Sequence, residues 1–164
     1  HPVSPYGASK LAGEGYCSAY YRTFGIETVA LRFGNVYGPG SAHKNSVVAK
    51  FIRQAMQGET LEIYGDGRQT RDFIYIDDVA QAFELAMKKP TYGEVFNIAR
   101  GRGISILELA NKVKELIKSD SEIVRTGKRK GDLDYSIADI SKAKEVLGFE
   151  PEWDLASGLK RLID

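Results

Sequence analysis

The feature of this sequence that most constrains its fold is the alternation of short apolar segments with longer segments of helical periodicity. The short segments predict strands at 26–33, 61–64, 72–76, 95–99 and 123–125. The longer segments predict helices at 6–24, 46–56, 77–89, 105–118, 141–147 and 155–163. Strands that alternate with helices are typical of α/β proteins, and 164 residues suffice for one domain with a sizeable core.

Local signals set the ends of several of these elements. Ser4 followed by Pro5 predicts the start of the first helix, and Gly25 predicts its end. Asp77 or Asp78 is expected to cap the helix that follows the third strand. Glycine and proline predict loops or turns at 34–40, 65–67 and 101–103.

The composition excludes several classes of protein. Basic and acidic residues number 23 and 22, so no global charge attracts the chain to nucleic acid or to an anionic membrane. No apolar run approaches the roughly 20 residues of a membrane span. Cys17 is the single cysteine, which excludes an internal disulfide and fits a cytoplasmic location. His1 and His43 have no metal-ligand spacing, so no metal site is expected. The chain begins at His1 rather than at Met, so we expect it to be part of a longer protein.

Tyr6 and Lys10 lie four residues apart on the first predicted helix, and therefore on one face of it. An ammonium group close to a phenol favours the phenolate form. A phenol that exchanges its proton readily can serve as general base and acid toward a sugar hydroxyl. The same spacing also arises when an exposed tyrosine lies beside a surface lysine, so this pair alone leaves both interpretations open.

The sequence contains no glycine-rich phosphate loop. A dinucleotide-binding domain typically begins with a strand that leads into G-x-G-x-x-G. The nearest glycine pairs are Gly65 with Gly67 and Gly101 with Gly103, and neither pair has the third glycine at the required offset. We therefore assign no phosphate-binding role to these glycines.

Four segments resemble motifs of the extended short-chain dehydrogenase/reductases, in the NAD-dependent epimerase/dehydratase family, and follow the family order. They read S-P-Y-G-A-S-K at 4–10, L-R-F-G-N-V-Y-G-P-G at 31–40, Y-G-D-G-R-Q-T-R-D-F-I-Y-I-D-D at 64–78, and K-R-K-G-D with later A-D, S-K-A and L-G-F within 128–149. Within this family the resemblance is greatest to the UDP-glucose 4-epimerase branch.

The resemblance implies a fold and a division of the chain. The motifs are those of the C-terminal part of a Rossmann-like extended fold, an α/β fold with small mixed sheets and helices, and the N-terminal cofactor half is absent. Residues 1–40 correspond to the end of the Rossmann-like part, and about 41–164 correspond mainly to the nucleotide-sugar-binding part. The implied cofactor is NAD, whose main binding loop precedes the matched segments in full-length members.

The resemblance also implies roles for particular residues. Tyr6 matches the catalytic acid and base, and Lys10 matches the lysine that holds the nicotinamide ribose and promotes ionisation of the tyrosine. Both are therefore catalytic and cofactor-binding positions. Asn35, Arg71 and Arg129 match the residues that hold the substrate diphosphate, for which the planar fork of arginine is well suited.

Four further residues match substrate contacts of the family. Asn45 lies at the start of the second helix, and Glu62 and Tyr64 lie where a short strand meets the nucleotide base. Ser136 matches the position that controls space for the 2-substituent of the sugar, and a serine there leaves room for an N-acetyl group. A shift of one residue in strand register would turn Tyr135 toward the sugar instead.

Other interpretations of these residues stay open from the sequence alone. Arg71 beside Asp72 is also consistent with a surface ion pair, and Asn35 among glycines is also consistent with a turn. The basic cluster at 125–130 is also consistent with a solvated face or a nucleic-acid patch. The nearly neutral net charge and the lack of a known nucleic-acid fold disfavour that patch, so no nucleic-acid partner is expected.

Through this resemblance, the sequence predicts a fragment of an NAD-dependent nucleotide-sugar 4-epimerase that is inactive alone. The implied substrate is a UDP-sugar, and the implied assembly is a homodimer of the full-length form. The segment F-G-N-V-Y-G-P at 33–39, in place of S-N-N-Y-G-P, favours an epimerase over a dehydratase. The alternatives are a fragment of a UDP-glucuronate epimerase or decarboxylase, a fragment of a sugar-nucleotide 4,6-dehydratase, and a non-catalytic nucleotide-sugar-binding module.

Overall fold

The computed structural model describes residues 2–41, 43–129 and 131–164. The helices are α1 (Pro5–Phe24), α2 (Val47–Met56), α3 (Ile76–Lys88), α4 (Ile106–Ile117) and α5 (Leu155–Ile163), with a π-helical turn at Ala143–Leu147. The strands are β1 (Ala30–Phe33), β2 (Asn35–Tyr37), β3 (Leu61–Tyr64), β4 (Thr70–Tyr75), β5 (Val95–Ile98), β6 (Gly103–Ser105), β7 (Ile123–Thr126) and β8 (Tyr135–Ser136). The predicted α/β class with small mixed sheets is confirmed.

Three small sheets organise the part of the chain that the structure describes. Strand β1 pairs in parallel with β5, and β3 pairs in parallel with β7. The third sheet is centred on β4, which pairs in parallel with β2 and β8 and antiparallel with β6. Four of the five pairings are parallel, and each of these joins strands that are far apart in sequence. The sheet around β4 therefore brings residues 35–37, 70–75 and 135–136 together.

Two apolar clusters form the core. The larger cluster packs α2, α4 and α5 against β3 and β4, and the aromatic ring of Tyr37 lies within it. The smaller cluster packs α3 and the π-helical turn against β5. Leu109, Leu147 and Phe149 are fully buried, as are the apolar side chains of β3. The framework around β3 and β4 is therefore well packed.

The first helix differs from the others because none of its residues is buried. As predicted, the Ser4 side chain accepts a hydrogen bond from the Gly7 amide at its N-terminus, and Gly25 ends it in the left-handed conformation. Tyr16 and Phe24 are 67% and 68% exposed. Within residues 2–41, 43–129 and 131–164, neither this helix nor any other is long and apolar enough to cross a membrane.

The structure corrects four local predictions. The first strand begins at Ala30 rather than at 26, and the predicted loop at 34–40 contains β2. Strand β2 forms because its backbone pairs with β4, a contact between distant segments that local glycine signals do not report. The last residue of the expected turn at 101–103 likewise belongs to a strand, because Gly103 begins β6 and pairs with Asp72.

The fourth correction concerns the start of α3. Neither Asp77 nor Asp78 caps this helix, because Tyr75 occupies the capping position and no side chain caps it. The carboxylate of Asp78 instead accepts hydrogen bonds from the backbone N–H groups of Glu152 and Trp153, at 2.8 and 3.3 Å. Asp78 is 2% exposed and joins α3 to the segment before α5.

Candidate functional site

A cavity of about 190 Å³ lies between α2, β3, β4 and the segment that follows β7. The structure brings six of the nine predicted site residues to its wall. These are Asn35, Asn45, Glu62, Tyr64, Arg71 and Arg129. They come from five separate parts of the chain, and the parallel pairing of β2 with β4 and of β3 with β7 places them together.

Arg71 is held firmly at one side of this cavity. Its guanidinium donates hydrogen bonds to the carbonyl oxygens of Thr70 and Leu133, each at 2.7 Å, and forms an ion pair with Asp132. The side chain of Arg71 is only 14% exposed. The structure therefore replaces the surface ion pair with Asp72 that the sequence allowed, and it orients the Arg71 fork before any ligand binds.

Glu62, Lys50, Tyr64 and Arg129 form a second group of contacts in the same cavity. The Glu62 carboxylate accepts hydrogen bonds from the Lys50 ammonium at 3.0 Å and from the Tyr64 hydroxyl at 3.3 Å. The hydrogen bond from Lys50 is the main reason that the pKa of Glu62 lies below its ordinary value. The guanidinium carbon of Arg129 lies 3.8 Å from the centroid of the Tyr64 ring, which is a cation–π contact.

The sequence interpretation missed Lys50, Gln69 and Asp132 as parts of this wall. Gln69 donates a hydrogen bond to the Tyr64 carbonyl oxygen at 2.6 Å. Lys50 lies on α2, where it looks like an ordinary polar residue of an amphipathic helix. Asp132 belongs to the K-R-K-G-D segment, so its presence was visible, but its partner Arg71 is 61 residues away in sequence.

A second cavity, of about 390 Å³, adjoins the first. Tyr6, Asn35 and Ser136 all line it, and Asn35 lines both cavities. Strand β8 pairs with β4 so that Ser136 lies opposite Arg71, while Tyr135 is 69% exposed and is not part of the wall. The register is therefore the one in which Ser136, rather than Tyr135, faces the cavity.

Tyr6 and Lys10 are neighbours on the exposed face of α1. The Lys10 ammonium lies 5.3 Å from the centroid of the Tyr6 ring, and the Tyr6 side chain is exposed. Within the described ranges of the chain, no ion pair engages Lys10, so its charge is free to act on a bound group. Lys10 lines neither cavity, although Tyr6 lines the second one.

Asp72 supports the floor of the second cavity. This residue is 2% exposed, and its carboxylate accepts hydrogen bonds from the backbone N–H groups of Arg100, Gly101 and Ala138, at 2.9, 3.0 and 3.3 Å. Burial raises the pKa of Asp72 above its ordinary value, and these hydrogen bonds oppose that effect. Asp72 thereby fixes β4 against the segment that follows Ser136.

Comparison with known proteins identifies the family. Residues 1–99 match the sequence model described as the NAD dependent epimerase/dehydratase family, which is more than half of the 164 residues. The chain belongs to this family. It is also 40% identical to a putative UDP-glucose 4-epimerase of Methanocaldococcus jannaschii, over 100% of this chain and 53% of that protein.

Solved structures agree with this assignment. A crystal structure of a UDP-glucose 4-epimerase with UDP-glucose, from Thermotoga maritima, superposes with a TM-score of 0.95 at 44% identity and covers 99% of this chain and 53% of that one. A UDP-glucuronic acid 4-epimerase from Bacillus cereus, in complex with UDP-glucuronic acid and NAD, gives a TM-score of 0.91 at 36% identity over 98% and 52% of the two chains. The chain thus spans about half the length of the relatives that it matches.

Proposed function

We propose that this chain is the nucleotide-sugar-binding part of an NAD-dependent UDP-sugar 4-epimerase. The observation that supports this most strongly is that Asn35 lines two adjacent cavities whose walls carry different kinds of side chain. The first is lined by the Tyr64 ring and by three cationic side chains, and the second is lined by Tyr6 and Ser136. A UDP-sugar has a matching order of groups, with a base, then a diphosphate, then a sugar.

In this arrangement the base lies near Tyr64 and Glu62, and the diphosphate lies near Arg71, Arg129 and Asn35. Arg71 is already oriented by Asp132 and by backbone carbonyls, so it loses little conformational freedom on binding. Arg129 exchanges its contact with the Tyr64 ring for phosphate oxygens. Charge-assisted hydrogen bonds from a guanidinium to phosphate are among the stronger polar contacts in proteins.

The sugar then extends into the second cavity toward Tyr6. The Tyr6 hydroxyl, with the Lys10 ammonium beside its ring, acts as general base toward the sugar 4-hydroxyl and then returns the proton as general acid. The free ammonium of Lys10 and the exposed phenol of Tyr6 fit contacts to the ribose hydroxyls of a nicotinamide nucleotide. NAD held by these two residues would supply the hydride acceptor and donor for the change at C4 of the sugar.

A binding experiment tests the proposal. We expect the 164-residue chain to bind UDP-glucose in isothermal titration calorimetry. Arg129→Ala should weaken this binding by about 10- to 100-fold, because one charge-assisted contact contributes about 1.5–3 kcal/mol. Arg22→Ala, on the exposed end of α1, is the matched control and should change the affinity less than about 2-fold. Equal affinities for wild type and Arg129→Ala would contradict the proposed site.

The choice of sugar and the assembly are further parts of the proposal. Titration with UDP-glucose, UDP-N-acetylglucosamine and UDP-glucuronic acid distinguishes the candidate substrates. Analysis of the products formed by a longer protein that contains this chain distinguishes an epimerase from a dehydratase or a binding module. The homodimer expected for the full-length form is supported by the exposed aromatic side chains of α1.

A further inference from the structure

The catalytic pair proposed above shares one face of α1 with a carboxylate. Glu14 lies four residues beyond Lys10, which is itself four residues beyond Tyr6. Side chains at this spacing are neighbours on a helix, and opposite charges attract at that distance. Glu14 therefore competes with the Tyr6 ring for the Lys10 ammonium unless another cation occupies its carboxylate.

Arg32 binds both oxygens of that carboxylate. Its Nε donates to Glu14 Oε1 at 2.6 Å and its Nη2 donates to Oε2 at 2.5 Å, so one planar fork covers both oxygens. The hydrogen bond from Arg32 is the leading reason that the pKa of Glu14 lies below its ordinary value. This two-point geometry is specific to arginine, because a lysine ammonium does not span both oxygens in this way.

The location of the pair matters as much as its geometry. Arg32 belongs to β1, which is fixed by pairing with β5, and it lines the same cavity as Tyr6. Helix α1 has no buried residue, so few packing contacts hold its side chains in place. The Lys10 ammonium nevertheless lies over the Tyr6 ring, 5.3 Å from its centroid, and not against Glu14.

We propose that Arg32 is a positioning residue, which keeps the Lys10 ammonium beside Tyr6 by holding the Glu14 carboxylate away from it. The mechanistic meaning of this contact rests on the function proposed above, in which Tyr6 exchanges a proton with the sugar. The placement of Lys10 itself requires neither sugar nor cofactor, so it is measured on the 164-residue chain alone.

Nuclear magnetic resonance provides the readout. A ring current from Tyr6 shifts the ε-methylene protons of Lys10 upfield, and Tyr6→Leu supplies the unshifted baseline. In Arg32→Gln the unpaired Glu14 draws Lys10 away, and we expect the upfield shift to fall by about a third to a half, as the energy of a helical ion pair dictates. An unchanged shift in Arg32→Gln, or no shift in the wild type relative to Tyr6→Leu, would overturn the proposal.

A second substitution distinguishes positioning from general damage to the fold. Glu14→Gln alone removes the competitor and should keep the wild-type shift, and the double variant Arg32→Gln/Glu14→Gln should regain it. If the double variant stays as low as Arg32→Gln, Arg32 acts through the structure of β1 and the proposal is wrong. Glu84→Gln, which breaks the exposed pair of Glu84 with Lys88 on α3, is the control and should leave the shift unaltered.

This experiment also separates the two proposals. If the Lys10 shift responds as expected but the chain fails to bind a UDP-sugar, the function proposed above fails and the placement of Lys10 by Arg32 stands. If the chain binds a UDP-sugar but the shift does not respond to Arg32→Gln, the function stands and the positioning role fails.

Discussion

Of the cations that line the first cavity, Arg129 has the least fixed position. Arg71 is neutralised by Asp132, and Lys50 is neutralised by Glu62. Arg129 instead lies on the Tyr64 ring, and it forms no ion pair within the described ranges of the chain. Because an exposed cation–π contact contributes only about 0.5–1 kcal/mol, an arriving phosphate can displace the ring. Arg129 thereby supplies the uncompensated positive charge of the cavity.

Lys50 gives a prediction about pH. Because the pKa of Glu62 is lowered, its ion pair with Lys50 stabilises the fold fully at pH values above the ordinary pKa of a glutamate. This stabilisation is lost as the pH falls through the lowered pKa. Lys50→Gln removes the main cause, so the pKa of Glu62 should rise toward the ordinary value. Carbon-13 titration of the Glu62 carboxyl measures this change.

The matched control for Lys50→Gln is Lys88→Gln. Lys88 lowers the pKa of Glu84 in the same way, through a hydrogen bond on the exposed face of α3. Lys88→Gln should raise the pKa of Glu84 and leave that of Glu62 as in the wild type. If the pKa of Glu62 does not change in Lys50→Gln, then Tyr64 or Arg129, rather than Lys50, is the main cause of its lowered value.

Ser136 gives a prediction about the sugar. Since Ser136 lines the cavity that also contains Tyr6, Ser136→Tyr should fill space beside the sugar ring. We expect the affinity for UDP-N-acetylglucosamine to fall by at least about 10-fold, while that for UDP-glucose changes by less than about 3-fold, as a steric effect on one substituent requires. Calorimetric titration with both ligands measures the ratio.

Tyr135→Phe is the control for this substitution, because its exposed side chain lies outside the cavity wall. It should leave both affinities unchanged. Equal losses for both ligands in Ser136→Tyr would indicate a general distortion of β8, and no loss for either would show that the sugar does not approach Ser136.

The motifs indicated residues that the fold brings to one cavity, but they did not indicate the contacts of those residues. The motifs indicated Arg71, Asn35 and Tyr64 as site residues, and the structure places all three on one wall. The partners of these residues could not be predicted, because Asp132 reaches Arg71 only through the pairing of β8 with β4. The alternative of a turn at Asn35 is wrong, since this residue lies in β2.

At the scale of elements, the helices α1 to α5 and the strands β3, β5 and β7 were predicted to within one residue, and the strands of two or three residues were not. The ends of α1, α2 and α5 lie within one residue of the expected positions, because periodicity and capping are local properties. Strands β2, β6 and β8 have two or three residues each, which is too short for an alternating pattern. All three form by pairing with β4, and that pairing depends on the packed core rather than on their own sequence.

The contact between α5 and β2 gives a prediction about packing. Gly158 lies in α5, and a Cβ atom added there would overlap the Tyr37 hydroxyl and lie 2.9 Å from the carbon that carries it. Tyr37 is 3% exposed and packs edge-on against Phe73 and Tyr75, so its ring cannot move aside freely. Gly158→Ala should therefore lower the free energy of unfolding by about 1–3 kcal/mol, as measured by urea denaturation.

Gly15→Ala is the matched helical control. Among the residues that the structure describes, no atom outside its own helix lies within 4 Å of the Cβ position at Gly15, which is in the exposed helix α1. Alanine favours helix formation over glycine by about 0.5–1 kcal/mol, so this variant should keep or increase the stability. A Gly158→Ala variant as stable as the wild type would show that α5 and Tyr37 separate more readily than their packing indicates.

At the scale of the whole molecule, the proposed UDP-sugar and the proposed NAD would contact very different surfaces. The predicted substrate contacts from Asn35 to Ser136 line two adjoining cavities that the described chain builds by itself. The predicted cofactor contacts are Tyr6 and Lys10 alone, both on the exposed face of α1. The larger core cluster supports β3 and β4 but includes no residue of α1. Substrate binding and cofactor binding should therefore be separable in this chain.

We accordingly expect the 164-residue chain to bind UDP-glucose but to show no measurable affinity for NAD and no epimerisation of UDP-glucose. Pyrophosphate of a dinucleotide is normally held by a glycine-rich loop and the N-terminus of the helix that follows it, and no G-x-G-x-x-G segment occurs in this sequence. Two hydrogen-bonding side chains on an exposed helix cannot replace those backbone contacts. Calorimetry with UDP-glucose and with NAD, followed by an assay for UDP-galactose, measures all three properties. Turnover of UDP-glucose by the purified chain without added protein would contradict the prediction. The variant Tyr6→Phe should leave the affinity for UDP-glucose unchanged, and its turnover would then show whether the reaction uses the Tyr6 hydroxyl.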